Sequence, residues 1–268
     1  MGIQIKFCVL IFCWLIGSSF GAGAVAREVD TVLVVSIDAL HPTALSEQAS
    51  PNLHRLMRSG RYTLQGRSVT PPQTLIAHTA MMTGLTPVQS GKQDNEWKPG
   101  SAQVRQETLL DFAKKQGFQT AYFYAKPKLG YLVSPGVDEH ALARDDGVDR
   151  TRAFFNPNGR RFVFLHISGL EDAGRDSGWL SPDYVGELTH IDKTLAPLLD
   201  AVFQRGSYLI VVTSDHAGHG REHGTHHPED FRLPVIIAAD RQLPPLPAGD
   251  FPITGLKALV QDMLALTD

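Results

Sequence analysis

The sequence predicts an α/β fold with a largely parallel central sheet covered by helices on both faces. Three observations predict it. Thr31 to Ile37 (TVLVVSI) is a continuous apolar run, as expected of a central parallel strand buried on both sides. Further strand-like runs, Gln119 to Ala125, Arg161 to Ile167, Tyr208 to Thr213 and Leu233 to Ala239, alternate with helical patterns. Asp38 follows the first run, and Asp215 and His216 follow the fourth. Ligands of open α/β sheets bind at that carboxyl edge.

In chain order, the first 26 residues read as a signal peptide. Lys6 is its positive region, Phe7 to Ile16 its apolar stretch and Ala24-Val25-Ala26 its cleavage site. The apolar stretch is too short to span a bilayer comfortably. Residues 27–268 are expected to form a single domain with only a small insertion at about 91–160. The protein beginning at Arg27 is expected to be periplasmic or secreted. Both cysteines, Cys8 and Cys13, lie in the leader, so any metal ligands are His, Asp or Glu. The net charge of −3 and the lack of a basic stripe give no sign of a nucleic-acid scaffold. No long apolar stretch remains for stable membrane insertion after signal cleavage.

Pro51 opens a helix to Ser59 with Leu53, Leu56 and Met57 on one face and Gly60 as its stop. Pro71 and Pro72 delay the next helix, which runs from Thr74 through Met82 to Gly84. Thr74 thus stands at a helix N-terminus, where N–H groups and the dipole favour an anion. A loop through Pro87, Gly91 and Pro99 leads to a helix over Glu107 to Gln116, stopped by Gly117. Residues 127–158 are polar and carry no clear pattern, and Ser168 to Ser181 reads as a loop. Pro182 begins a long helix with Tyr184, Leu188, Ile191, Leu195, Leu198 and Val202 on one stripe, expected to kink at Pro197. Thr254 to Leu266 is a closing helix.

Five of the eleven histidines fall between His216 and His227, behind the carboxylate of Asp215. Imidazole and carboxylate together suit zinc and similar divalent ions. A solvated His-rich loop is the plainer alternative, but a strand end holds Asp215 and His216 more rigidly than a tract would. A threonine hydroxyl near such an ion is a candidate nucleophile, because metal coordination supplies the activation it lacks alone. An ordinary N-cap is the competing role for Thr74.

Several motifs resemble the alkaline phosphatase superfamily, and most closely its nucleotide pyrophosphatase/phosphodiesterase branch. They are Ser36-Ile37-Asp38-Ala39, Pro51-Asn52-Leu53 with its helix to Gly60, and Thr74-Leu75-Ile76-Ala77-His78 followed by Thr83-Gly84-Leu85-Thr86-Pro87. Ser214-Asp215-His216 and His223-Gly224-Thr225 complete the set. Asn95-Glu96-Trp97, Lys126-Pro127-Lys128 and Thr254-Gly255-Leu256-Lys257 also fit bacterial members. The resemblance implies metal-dependent hydrolysis of phosphoric esters through a phospho-threonine at Thr74. A small phosphodiester or nucleotide-type substrate is favoured over a monoester. It places Asp38, Thr74, Asp215 and His216 around a first divalent ion, expected to be zinc.

The family's second ion uses Asp, a His four residues later and a distant His. The matching positions here hold Glu171, Arg175 and His223, and an arginine cannot ligate because it stays protonated. A one-residue slip offers Asp172 and Asp176 instead, so one or two ions per chain remain open. With one ion, Arg175 is expected to supply the missing positive charge to the reaction. Ala77 replaces the family's phosphate-binding asparagine, Ser90 replaces a histidine, and large cap insertions are largely absent. A degenerate member that binds phosphorylated ligands or metal without turnover is the alternative. A metal-binding protein using only the His-rich loop is a third reading, and no C/S-x-P-x-R context supports a sulfatase. Among the other residues, His78 suits either a supporting or a core role. His166 reads as a core histidine, and His219, His226 and His227 as solvent-facing. Lys126 and Lys128 either reach a phosphate or lie in a solvated surface.

Overall fold

The computed structural model describes residues 1–2, 28–247 and 249–266. The expected leader, apart from residues 1–2, and its cleavage point lie outside the described residues. The strands are β1 (Thr31–Ile37), β2 (Arg61–Arg67), β3 (Gln119–Tyr124), β4 (Glu139–Leu142), β5 (Arg161–Ile167), β6 (Tyr208–Thr213), β7 (Arg232–Ala239) and β8 (Phe251–Pro252). They form one sheet in the order β4-β3-β5-β1-β6-β7-β2-β8. Pairing is parallel from β4 through β6, and β7 runs antiparallel to both β6 and β2. The sheet is therefore largely parallel, with β1 at its centre and every residue of β1 buried.

Alternation along the strands sorts the core into two layers. Val32, Val34, Phe162, Phe164, Leu209 and Val211 face one way, toward α2 (Thr74–Thr83), α4 (Leu109–Lys115) and α8 (Leu256–Ala265). Leu33, Val35, Val163, Leu165, Ile210 and Val212 face the other, toward α1 (Pro51–Ser59), α5 (Gly147–Phe155) and α7 (Pro182–Arg205). The short α3 (Pro87–Ser90) follows α2, and α6 (Leu170–Ser177) packs on α7.

α1 spans the predicted residues, while α4 and α8 each start two residues later and end one residue earlier than predicted. α7 runs unbroken through Pro197. Three stretches differ from expectation. The expected loop at 168–181 contains α6, whose apolar content is so low that only Leu170 and Gly174 are buried. Residues 127–158 fold into a 3₁₀ turn (Pro127–Leu132), β4 and α5, so the stretch expected as an insertion at about 91–160 supplies two strands of the main sheet. β2 escapes pattern reading because its residues are mostly exposed or half-buried and its pairing with β7 shifts register between Thr63 and Gly66.

Candidate active site

Register places the site. Ser36 pairs with His166 of β5 on one side and with Thr213 of β6 on the other. Two residues further on, Asp38 and Asp215 leave adjacent strands at the same height, about 4.8 Å apart in the hydrogen-bonding direction. Both carboxylates are fully buried. The backbone turns sharply after Asp38, with Ala39 at φ 62°. The Tyr184 hydroxyl locks that turn, donating to the Ala39 carbonyl at 2.6 Å and accepting from the His41 N–H at 2.9 Å.

The Asp215 Oδ1 is occupied by the backbone N–H groups of Ala39 (3.1 Å) and His216 (3.0 Å). The Asp38 Oδ2 is occupied by His166 Nε2 (3.0 Å) and Lys126 Nζ (2.6 Å). His216 donates from Nδ1 to the Ala217 carbonyl at 2.9 Å, which leaves its Nε2 with a free lone pair. Three buried atoms then remain without a hydrogen-bond partner: Asp38 Oδ1, Asp215 Oδ2 and His216 Nε2. His216 Nε2 lies 3.6 Å from the first and 3.4 Å from the second. Ligands about 2.0–2.1 Å from a tetrahedral ion stand about 3.4 Å from one another. Buried polar atoms without partners are costly, and the chemistry of these three suits a divalent ion; Asp38 and His216 also form, with Glu171, a group whose ligand atoms lie within 4.8 Å of one another.

Thr74 opens α2 beside them, buried, with Gln73 rather than Thr74 as the N-cap. Its Oγ1 is 3.3 Å from Lys126 Nζ. One turn on, His78 donates to the Thr74 carbonyl at 2.7 Å and accepts from the Ser36 hydroxyl at 2.9 Å. Burial lowers its pKa to about 4, opposed by the nearby Asp215, so it stays neutral. Asn95 accepts from the Leu75 N–H at 2.9 Å and covers one open donor of the helix start.

Glu171, in the first turn of α6, closes the other side. It pairs with Lys126 Nζ and accepts from His223 Nε2 at 2.9 Å. Burial and the neighbouring Asp38 push its pKa up, but the His223 hydrogen bond and Lys126 outweigh them and hold it at about 2. Asp38 is likewise held well below the usual carboxylate range: burial opposes this, and the charge of Lys126 with the His166 hydrogen bond prevails. Lys126 loses solvation on burial, yet Asp38 and Glu171 raise its pKa further and keep it charged. His223 stacks on His216 with ring centroids 4.6 Å apart and has Trp179 on its flank. Trp179 fits there because Gly218 lacks a Cβ, which would stand 2.4 Å from the indole.

The structure thus gathers Asp38, Thr74, Glu171, Asp215, His216 and His223 at one sheet edge. Arg175 stands at the rim, its side chain 61% exposed and 3.4 Å from Glu171. Asp172 and Asp176 are exposed. The sequence reading ranked two central groups too low. His166 is no mere core residue but holds Asp38, and Lys126 lies inside the site rather than in a solvated surface. Lys126 directly follows the run ending at Ala125, so the strand-end rule that found Asp38 would have found it too. A second group with ligand-like side chains, His219, His227 and Asp230, is closed on itself. There His219 bonds Asp230 at 2.7 Å, Thr225 bonds it twice more, and the Glu229 N–H occupies His227 Nδ1. His226 and His227 are exposed as expected, while His219 is partly buried.

Residues 32–231 match the family model for type I phosphodiesterase / nucleotide pyrophosphatase. None of the curated proteins compared matches the chain. Among solved structures, a 2-O GAG sulfatase aligns at TM-score 0.71 and 13% identity, over 90% of this chain and 72% of its own. The murine ectonucleotide pyrophosphatase/phosphodiesterase 5 aligns at 0.68 and 14%, over 88% and 95%. The C-terminal periplasmic domain of EptC from Escherichia coli, solved with zinc, aligns at 0.66 and 14%, over 90% and 84%. At these identities the likeness is one of fold. Among the described residues, no helix is long and apolar enough to cross a membrane.

Proposed function

The chain belongs to the type I phosphodiesterase/nucleotide pyrophosphatase family of phosphoric ester hydrolases, and from that premise we propose that it cleaves a small phosphodiester or nucleotide-type substrate through a phospho-threonine at Thr74. The observation that carries this reading is the convergence of Asp38 Oδ1, Asp215 Oδ2 and His216 Nε2, buried and unpaired, beside the Thr74 hydroxyl. Asp38, Thr74, Asp215 and His216 would hold a divalent ion, zinc being the one this donor set suits. When bound there, the ion supplies a Lewis acid that lowers the pKa of the Thr74 hydroxyl and draws charge from the phosphoryl oxygens.

The remaining work falls to the chain. The α2 N-terminus faces the transferred group with its positive end. Thr74 Oγ attacks phosphorus and the ester alcohol departs in line. Water then attacks the phospho-threonine, releasing the phosphorylated product and restoring the hydroxyl. His166 and His78 keep the carboxylates and the helix start in place, so little reorganisation accompanies the charge shift.

The test is an assay of the purified protein with generic aryl phosphate diesters and monoesters, before and after chelation and zinc re-addition. Hydrolysis that is lost on chelation and restored by zinc, with the diester turned over faster, is the expected result. Hydrolysis indifferent to chelation, or none of either ester by zinc-loaded protein, would overturn the reading.

A further inference from the structure

We infer that the Lys126 ammonium is the second cation of this site, so that the chain works with a single metal ion and Lys126 takes the positive role on the Glu171 side. The inference rests on the phosphoryl-transfer reading above. Lys126 Nζ sits within 2.6 Å of Asp38 Oδ2 and 3.3 Å of Thr74 Oγ1, and it pairs directly with Glu171 Oε2. It therefore bridges the two acidic halves of the site at the threonine oxygen, the place from which a cation can touch a non-bridging phosphoryl oxygen.

The two halves of the site differ in what they leave open. On the Asp215 side three donor atoms are buried without partners. On the Glu171 side both carboxylate oxygens are taken, Oε2 by Lys126 and Oε1 by His223 Nε2 at 2.9 Å, with Arg175 at 3.4 Å. His223 Nδ1 is the one buried donor atom left there, and a single ligand cannot hold a divalent ion. Arg175 stays protonated and cannot add a second. Charge points the same way. Asp38, Asp215 and Glu171 with Lys126 sum to −2, which one divalent ion neutralises, while a second would leave the buried pocket at +2. Arg175, mostly exposed, pairs with Glu171 Oε1 from the rim, whereas Lys126 is the cation hydrogen-bonded to Thr74 Oγ1, so the cationic role expected of Arg175 is assigned to Lys126.

The deciding measurement is the zinc content of protein equilibrated with zinc and freed of excess, alongside calorimetric binding of inorganic phosphate. Wild type should hold one zinc per chain. Glu171→Gln should also hold one, and Asp215→Asn none. Lys126→Met should keep its zinc, which also certifies its fold, while binding phosphate at least about tenfold more weakly and hydrolysing aryl phosphate ~10²–10³-fold more slowly. Lys126→Arg, which keeps the charge, should recover part of the phosphate affinity. Two zinc ions per wild-type chain with hydrolysis intact would overturn this inference alone, as would undiminished phosphate binding in Lys126→Met. A wild-type protein holding no zinc and hydrolysing neither ester would overturn the phosphoryl-transfer reading itself.

Discussion

His166 donates from Nε2 to the Oδ2 of Asp38 across 3.0 Å, while the Ala125 N–H ends on its Nδ1 at 3.2 Å. The backbone contact fixes the tautomer, because a nitrogen that accepts a hydrogen bond carries no proton. One Asp38 oxygen is thereby tied, and the other is left aimed at His216. His166 is a positioning residue on β5, the strand next to β3, whose carboxyl end leads to Lys126.

His166→Leu should therefore weaken metal binding without unfolding the protein. Loss of an outer partner of a metal ligand typically costs about 10–100-fold in metal affinity or activity. Competition with a chromogenic chelator reads the affinity directly. Unchanged affinity in a folded variant would show that Asp38 needs no such support.

Asp215→Asn and Thr74→Ala should fail in different ways. Asp215→Asn removes a charged donor, so zinc affinity should fall by more than about 100-fold, taking activity with it. Thr74→Ala should retain most of its zinc and lose turnover by about 10³-fold or more, since the nucleophile itself is gone. Near-normal hydrolysis by Thr74→Ala would remove Thr74 from the nucleophile's role.

Much of this arrangement was legible in the chain because buried parallel strands announce themselves. The TVLVVSI run and its neighbours place Asp38, Asp215 and His216 at a common edge, and the prolines before Thr74 place a helix start there. Elements whose side chains face solvent carry no such signal. β2 and α6 are mostly polar, and their positions come from what they pack on, β7 and α7. Lys126 was hidden for a different reason. It does follow a predicted strand, but within Lys126-Pro127-Lys128 a lysine reads equally as surface, and the order β3-β5-β1 is what brings the end of β3 to the same edge as Asp38. Glu171 against the Asp172/Asp176 pair was likewise a question of which helix face turns inward.

Acid should reveal the cap of α4. The Asp111 carboxylate accepts from the Thr108 N–H at 2.7 Å and from the Gly136 N–H at 2.7 Å. Partial burial opposes ionisation, but these bonds, with the hydroxyls of Thr108 and Ser134, hold its pKa below the usual value. A pKa depressed on folding contributes stability that is complete above the unfolded value of about 3.9 and lost as pH falls through the folded one. Asp111→Ala should cost about 1–2 kcal/mol at neutral pH. Urea unfolding should show that gap constant from pH 8 to 5 and shrinking below about pH 4. A gap that stays constant down to pH 3 would mean that the charge of Asp111 contributes nothing.

The largest stability effect is expected at Asp192, a fully buried carboxylate on α7. Ser50, the N-cap of α1, makes no side-chain capping bond. Asp192 does that work from another element, accepting from the Asn52 N–H at 3.1 Å, the Leu53 N–H at 2.9 Å and the Asn52 side-chain amide at 2.8 Å. Its negative charge also lies at the positive end of the helix. Asp192→Ala would leave these buried donors without partners, at about 1–3 kcal/mol for each one stranded. Asp192→Asn keeps the shape and one acceptor oxygen, so it should cost less. Urea denaturation should rank the proteins wild type, Asp192→Asn, Asp192→Ala in falling stability, with Asp192→Ala lower than wild type by about 3 kcal/mol or more. Because α1 packs Leu53, Leu56 and Met57 against β7, β2 and α7 rather than on the strand that leads to Asp38, zinc binding should follow stability in this series only once the protein begins to unfold. A folded Asp192→Ala as stable as wild type would show that α1 is held by its apolar face alone.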